Sequence, residues 1–164
     1  MSDDLTALNA RQLLARIEDA LGELLKRGIV RSRNAPLGDV AERIVWLARG
    51  GTLERNSTKS HDVTTDAGER IQVKARIMKG NGGKFSSFRS FEFTTAIFLS
   101  FDPATLDIDY ARELRSEEAT GNGARSGWTN ATTLTGGRVK RLGTDVTEEM
   151  RAAYARLDEP IPPG

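Results

Sequence analysis

The residues best suited to chemistry lie between His61 and Ile77, where two short runs rich in β-branched residues flank Asp66-Ala67-Gly68. A turn sequence of this kind, with a glycine at its end, predicts a β-hairpin. In the second run, apolar residues alternate with Gln72, Lys74 and Arg76. Successive side chains of a strand point to opposite faces, so this strand is expected to have one apolar and one polar face.

The register of the hairpin predicts that several polar side chains converge. A symmetric hairpin places Val63 opposite Ile71 and Asp62 opposite Gln72, and directly opposed Cβ atoms lie about 4.5–5.5 Å apart. Lys74 follows one pleat further along the same face. A carboxylate, a carboxamide and an ammonium group are therefore expected at one point.

The oxygen atoms expected there suit a hard divalent cation, Mg²⁺ or Mn²⁺. Candidate ligands are the Asp62 carboxylate, the Gln72 amide oxygen and the Val73 backbone carbonyl. Lys74 beside such an ion would orient or deprotonate a water molecule, or stabilise charge developing on a phosphate. The alternative is a solvated surface hairpin with a loose Asp62–Lys74 ion pair, and these residues alone favour that plainer interpretation.

Composition excludes several classes of protein. The length of 164 residues predicts one domain, residues 1–164. There is no cysteine and only one histidine, which excludes disulfides and argues against a zinc site. No apolar run is long enough to span a membrane, and no secretory signal is visible, so we expect a cytoplasmic location.

The charge is unevenly distributed although the net charge is only +1. Between Arg70 and Phe91 there are six lysine or arginine residues and no acid. Locally basic segments in a neutral protein are typical of a polyanion-binding face, although a chance fluctuation of charge is the alternative. The candidate nucleic-acid-binding residues are Lys59, Arg76, Lys79, Lys84 and Arg89.

Two helices are predicted before the hairpin. The first begins at Asn9, which forms a capping-box pattern with Gln12 three positions later, and it ends near Arg27. The second spans Pro36 to Arg49 and carries Glu42 near the edge of its apolar stripe. Taken alone, a glutamate at such a position is usually an ordinary solvated side chain.

The elements after the hairpin complete the predicted fold. We expect a mobile basic loop at 80–84, a buried strand at 91–101, an alternating strand at 106–110, a short helix at 112–119 and a terminal helix from about residue 145. This order predicts an α/β or α+β fold in which one mixed β-sheet is flanked by helices.

A helix bearing Glu42, a hairpin bearing Asp62 and Gln72-Val73-Lys74, and then a buried strand and a helix resemble the PD-(D/E)xK, restriction-endonuclease-like nuclease superfamily. Gln72 replaces the usual acid, which is similar to the Gln-x-Lys variant of Mrr-type nucleases. The resemblance covers roughly residues 36–112, which would form the catalytic core. An N-terminal helix (1–28) is expected before this core and a C-terminal helical segment (113–159) after it.

The resemblance implies a role for each matching residue. Asp62 would be the principal Mg²⁺ ligand, assisted by Gln72 and the Val73 carbonyl. Glu42 would bind the metal directly or through water, and Lys74 would orient or activate the attacking water. Such a site hydrolyses phosphodiesters by in-line attack.

The leading hypothesis is therefore a metal-dependent DNA endonuclease that serves restriction or defence against foreign DNA. Gln72 lowers the negative charge of the site, so a catalytically silent nucleic-acid-binding module is an alternative. An RNA-directed nuclease is another, because DNA and RNA present the same phosphate. Cutting both strands favours a homodimer, for which the N-terminal helix is the expected interface.

Overall fold

The computed structural model describes residues 4–32, 36–55, 60–80, 82–126 and 131–159. Within these ranges the helices are α1 (Ala10–Lys26), α2 (Pro36–Arg49), α3 (Ser116–Asn122), α4 (Gly136–Val139) and α5 (Thr147–Ala155). The strands are β1 (Thr52–Leu53), β2 (Val63–Thr64), β3 (Arg70–Ile77), β4 (Thr95–Phe101), β5 (Ile108–Arg115), β6 (Ala124–Ser126), β7 (Ala131–Thr133) and β8 (Thr144–Asp145).

The described part of the chain forms a six-stranded mixed sheet with the strand order β1-β2-β3-β4-β5-β8. β3 and β4 are parallel, and the other neighbours in this sheet are antiparallel. β6 and β7 form a separate antiparallel pair. The structure thus confirms a mixed α/β fold in which one mixed sheet is flanked by helices.

The sheet is covered on both faces. On one face α2 and α5 contribute Ile44 and Met150 to a core that includes Ile71 and Val73 of β3. On the other face Phe85, Phe88 and Leu134 pack with Phe98 of β4. All seven residues of β4 are buried, because this strand lies in the middle of the sheet between the two cores.

The two N-terminal helices form where the sequence predicted them. Asn9 and Gln12 make both hydrogen bonds of the capping box at the start of α1, and Gly28 beyond its end adopts a positive φ of 70°. The predicted and observed bounds of α2 are the same. Capping and helical periodicity are local properties, which explains why sequence alone was sufficient here.

The strands after the hairpin differ from the prediction. The buried strand begins at Thr95 rather than at Phe91, because Phe91 and Phe93 pack against Phe88 in an aromatic cluster. The next strand, β5, continues to Arg115 through residues that we predicted to be helical. Pairing with β4 on one side and β8 on the other overrides their helical pattern.

The glycine-rich region also contains more structure than predicted. The β6–β7 pair and β8 lie within the segment 113–159, which we predicted to be helical. The predicted mobile basic loop at 80–84 is followed at once by the buried side chains of Phe85 and Phe88, and isolated bridges join Lys84 and Phe88 to the β7 region. Phe85 and Phe88 therefore belong to the core that contains Phe98.

Among the described helices, none has both the length and the apolar character needed to cross a membrane. α1 leaves Ile17 56% exposed on its apolar stripe. A homodimer through this helix stays a prediction.

Two adjacent glycines in the α2–β1 connection provide a test of the fold. Both have a positive φ, but a Cβ atom on Gly51 would lie 2.0 Å from the Thr64 carbonyl oxygen, whereas one on Gly50 would lie 4.0 Å from Asp66. We expect Gly50→Ala to cost about 1–2 kcal/mol, the usual penalty of a left-handed conformation. Gly51→Ala should cost clearly more, because β1 and β2 must separate. Urea unfolding of the two variants measures the difference, and equal losses would contradict the close approach.

Candidate active site

The candidate site lies at an open edge of β3. Within the described residues, β2 pairs only with the first two residues of β3, Arg70 and Ile71. The next outward-pointing N–H, that of Val73, donates to Asp62 Oδ2 at 2.7 Å. The N–H and C=O of one strand residue point to the same side. The Val73 carbonyl therefore also points to this edge.

The backbone of Asp62 is held from both sides. Its N–H donates to the Ile71 carbonyl at 2.8 Å, and its carbonyl accepts from the Glu54 N–H at 2.8 Å. Val63 pairs with Ile71, as the symmetric hairpin predicted. Gln72 Nε2 donates to Asp62 Oδ2 at 3.0 Å, so the predicted meeting of carboxylate and carboxamide is present.

Glu42 reaches the same point from α2, which packs against β3. The side chain is only 18% exposed. Burial and the neighbouring Asp62 charge raise the pKa of Glu42 to about 7, although Arg31 opposes this shift. Burial also raises the pKa of Asp62, against the opposing effects of the Val73 N–H, Lys74 and a hydrogen bond with Glu42. Glu42 and Asp62 therefore form a buried carboxyl pair.

Lys74 lies near this pair but makes its hydrogen bond elsewhere. Its Nζ donates to the Ser87 carbonyl at 2.9 Å and lies 5.1 Å from the centre of the Phe88 ring. Burial lowers the pKa of Lys74, while the Asp62 charge raises it and the Arg89 charge lowers it. The segment that carries Ser87 and Phe88 thus positions the ammonium group.

Arg31 is a member of the site that the sequence analysis missed. Its guanidinium donates to Glu42 Oε2 and to the Glu54 carbonyl, and its backbone N–H donates to Asp39 Oδ2 at 2.7 Å. Arg31 precedes α2 in a polar connection, where no periodic pattern relates it to Glu42. No sequence signal distinguished it from the neighbouring basic residues.

His61 does not join the carboxyl pair. Its Nδ1 lies 2.8 Å from Ser60 Oγ and its Nε2 lies 3.0 Å from Thr64 Oγ1. Thr64 in turn donates to Glu54 Oε1 at 2.6 Å. These bonds tie the chain before Asp62 to β1 and β2, so His61 helps to position Asp62.

The predicted nucleic-acid-binding residues are exposed where they are described. Arg89 is near enough for its charge to lower the pKa of Lys74. Lys79 instead lies beside Asp102, beyond the far end of β3. Arg76 donates to the Lys84 carbonyl. Lys59 lies outside the described residues.

The oxygen atoms of the site are the kind of ligand that a hard divalent cation prefers, but few of them belong to acidic side chains. Two largely buried carboxyl groups lie together, and the Val73 carbonyl points to the same edge. Burial and then the Asp62 charge raise the pKa of Glu42, and a bound cation would offset that charge. In the part of the chain that is described, no group of three or more His, Cys, Asp or Glu side chains is arranged to hold a metal ion. The third polar side chain at this point, Gln72, is an amide.

No protein-family model matches this chain, and no curated protein sequence matches it at a significant level. Its function is therefore inferred from the site.

The pKa of Glu42 predicts how stability depends on pH in the metal-free protein. This carboxyl group titrates at about 7 in the native state against an ordinary value of 4.5. The native state therefore binds the proton more tightly, and the stability gained is present below about pH 4.5 and lost as the pH rises through 7. The effect is roughly 3 kcal/mol or less.

The measurement is urea unfolding in EDTA at pH values from 4 to 8.5, with Glu42→Gln for comparison. The stability of the wild type relative to this variant should fall over that window and then level off. Glu117→Gln, which removes an exposed carboxylate on α3, is the control and should not reproduce the trend. A constant difference between wild type and Glu42→Gln would contradict the raised pKa.

Proposed function

We propose that this protein is a metal-dependent endonuclease that hydrolyses DNA phosphodiester bonds, with Glu42, Asp62, Gln72 and Lys74 in its active site. The observation that carries the proposal is the buried Glu42–Asp62 carboxyl pair at the open edge of β3, with Lys74 beside it. Burying two like charges is costly unless a partner compensates them. Binding a cation is the function that best accounts for the pair.

The carboxylates of Glu42 and Asp62 and the carbonyl of Val73 would hold Mg²⁺ or Mn²⁺. Gln72 would contribute its amide oxygen by turning its amide group, which now donates to Asp62. When bound, such an ion neutralises charge on the scissile phosphate and makes a bound water more acidic.

Asp62 is the best-positioned ligand, because its backbone and one carboxylate oxygen are fixed by hydrogen bonds to the sheet. Lys74 keeps its ammonium close to the carboxyl pair without forming a direct ion pair with Asp62 among the described residues, since it donates to Ser87. Its N–H groups are suited to orient the attacking water or to stabilise charge on the phosphate. The proton of that water would pass to solvent or to Lys74 in its neutral form.

We propose the substrate from the positively charged residues near the site. Arg89 lies near Lys74, and the basic segment from Arg76 to Arg89 follows Lys74 along the chain. A phosphate backbone that crosses the open edge of β3 would meet the Arg89 charge. The proposed role, restriction or defence against foreign DNA, follows from the resemblance to Mrr-type nucleases.

The restriction-endonuclease-like form of the fold is part of the same proposal. It is supported by the order of the elements: α2 carries Glu42, the β2–β3 hairpin carries Asp62 and Lys74, and β4 follows parallel to β3. β4 pairs with β3 along one side. Among the described residues, no strand pairs with the other side of β3 beyond Ile71.

The test is incubation of supercoiled plasmid with the protein and Mg²⁺ or Mn²⁺. We expect nicking or linearisation that EDTA abolishes. Asp62→Ala should lose it, because the best-fixed ligand is gone, and Lys74→Ala should lose about 10²–10⁴-fold in rate. Lys140→Ala removes an exposed lysine that lies against Tyr110 of β5, a strand that β4 separates from β3, and it should cut like the wild type.

The outcome also separates the competing functions. Intact plasmid together with a salt-sensitive gel shift would replace the proposal by a catalytically silent DNA-binding module. Cleavage of RNA but not of plasmid would identify an RNA-directed nuclease. Cleavage that survives Asp62→Ala would refute the assigned site.

Gln72→Glu is a second test of the site. Gln72 already contacts Asp62, so a carboxylate at this position adds a third anionic oxygen donor where the ion is expected. We expect Mn²⁺ to raise the melting temperature of this variant more than that of the wild type, by binding linkage. Gln12→Glu, a change of the same type on exposed α1, is the control. An unchanged response to Mn²⁺ would place the metal elsewhere.

A further inference from the structure

Arg31 connects three elements around the carboxyl pair. Its backbone N–H is held by Asp39 in the first turn of α2. One guanidinium nitrogen donates to the carbonyl of Glu54, which follows β1, and the other donates to Glu42 Oε2. The Arg31 side chain is 29% exposed and that of Glu42 is 18% exposed, so the ion pair is largely shielded from water.

The carboxyl pair already has cations near it in the metal-free protein. The Arg31 charge lowers the pKa of Glu42 and the Lys74 charge lowers that of Asp62, while Asp39 adds a further negative charge near Glu42. A divalent cation bound to both carboxylates would compete with Arg31 for Glu42, since two cations on one carboxylate repel each other. Lys74 has its own partner in Ser87, which leaves Arg31 as the cation that binds a proposed metal ligand directly.

We propose that Arg31 is an exchangeable counter-ion, which holds Glu42 in the metal-free protein and releases it when a divalent metal binds. This inference rests on the proposed function for the position of the metal. The anchors at Glu54 and Asp39 do not involve Glu42, so Arg31 stays at the rim of the site after the exchange. The guanidinium nitrogen that held Glu42 is then free to bind a phosphate of the DNA.

The exchange predicts that removing the positive charge of Arg31 changes the affinity for the metal ion in an unusual direction. If Arg31 competes with the metal, Arg31→Gln binds Mn²⁺ more tightly than the wild type, by about tenfold for an ordinary coupling between two binding events. If Arg31 only holds Glu42 in place, the same variant binds Mn²⁺ more weakly. The experiment is calorimetric titration with Mn²⁺ alone at pH 8, where the proton competes little for Glu42.

The controls isolate the Arg31–Glu42 contact. Arg27→Gln removes an arginine whose partner, Glu23, lies on the exposed side of α1, and it should leave the affinity for Mn²⁺ unchanged. In a Glu42→Gln background the effect of Arg31→Gln should disappear, as a double-mutant cycle requires. Arg31→Lys keeps the charge but lacks the forked donors, so it should fall between wild type and Arg31→Gln.

Unchanged or weaker Mn²⁺ binding by Arg31→Gln overturns the exchange, as does a wild type that binds no Mn²⁺. Thermal unfolding checks that Arg31→Gln is folded, and the titration of Arg31→Lys decides the question if it is not. Failure of the nuclease proposal gives a different result. Tighter Mn²⁺ binding by Arg31→Gln without plasmid cleavage by the wild type supports the exchange and refutes the nuclease.

The release of Arg31 has a consequence for DNA binding. In EDTA the guanidinium is held by Glu42, so Arg31→Gln should bind a DNA duplex as the wild type does. With Ca²⁺ in place of Mg²⁺, the freed guanidinium adds a phosphate contact, and the variant should bind more weakly and show a smaller salt dependence. An equal loss of affinity in both conditions would contradict the exchange.

Discussion

The site depends on one hydrogen bond, between the Val73 N–H and the Asp62 carboxylate at 2.7 Å. β2 ends after two paired residues, so none of the described strands pairs with this edge of β3 beyond Ile71. An unpaired N–H that is shielded from water is costly, and here a side chain takes the place of the missing strand. The same bond turns the carboxylate towards Gln72 and Glu42, so a structural requirement of the sheet also creates the charged centre of the site.

The second constraint is the burial of like charges. Asp62 receives N–H groups from Val73 and Gln72, and Glu42 receives a guanidinium N–H from Arg31. Burial and the Asp62 charge nevertheless raise the pKa of Glu42 to about 7. A site that buries like charges lowers the stability of the protein locally. Such sites are expected where a protein binds a charged ligand, because the ligand then compensates the buried charge.

Much of the site was predictable because it depends on local patterns. The turn at Asp66-Ala67-Gly68 sets the register that brings Asp62 to Gln72, and the alternation along β3 separates its apolar from its polar face. The bounds of α2, and with them the position of Glu42, follow from helical periodicity. Arg31, by contrast, lies outside any periodic element, and its contact with Glu42 exists only because α1, α2 and β1 pack as they do.

The amino-acid sequence by itself determined the two N-terminal helices, the hairpin and its register, since capping, periodicity and turn chemistry act over a few residues. It also determined which residue types are available for chemistry. Only the tertiary structure decided where β5 ends, how Phe85 and Phe88 anchor the basic segment, and that Lys79 lies away from the site while Arg89 lies near it. Those outcomes depend on pairing and packing between segments distant in the chain, whose free energies exceed local preferences.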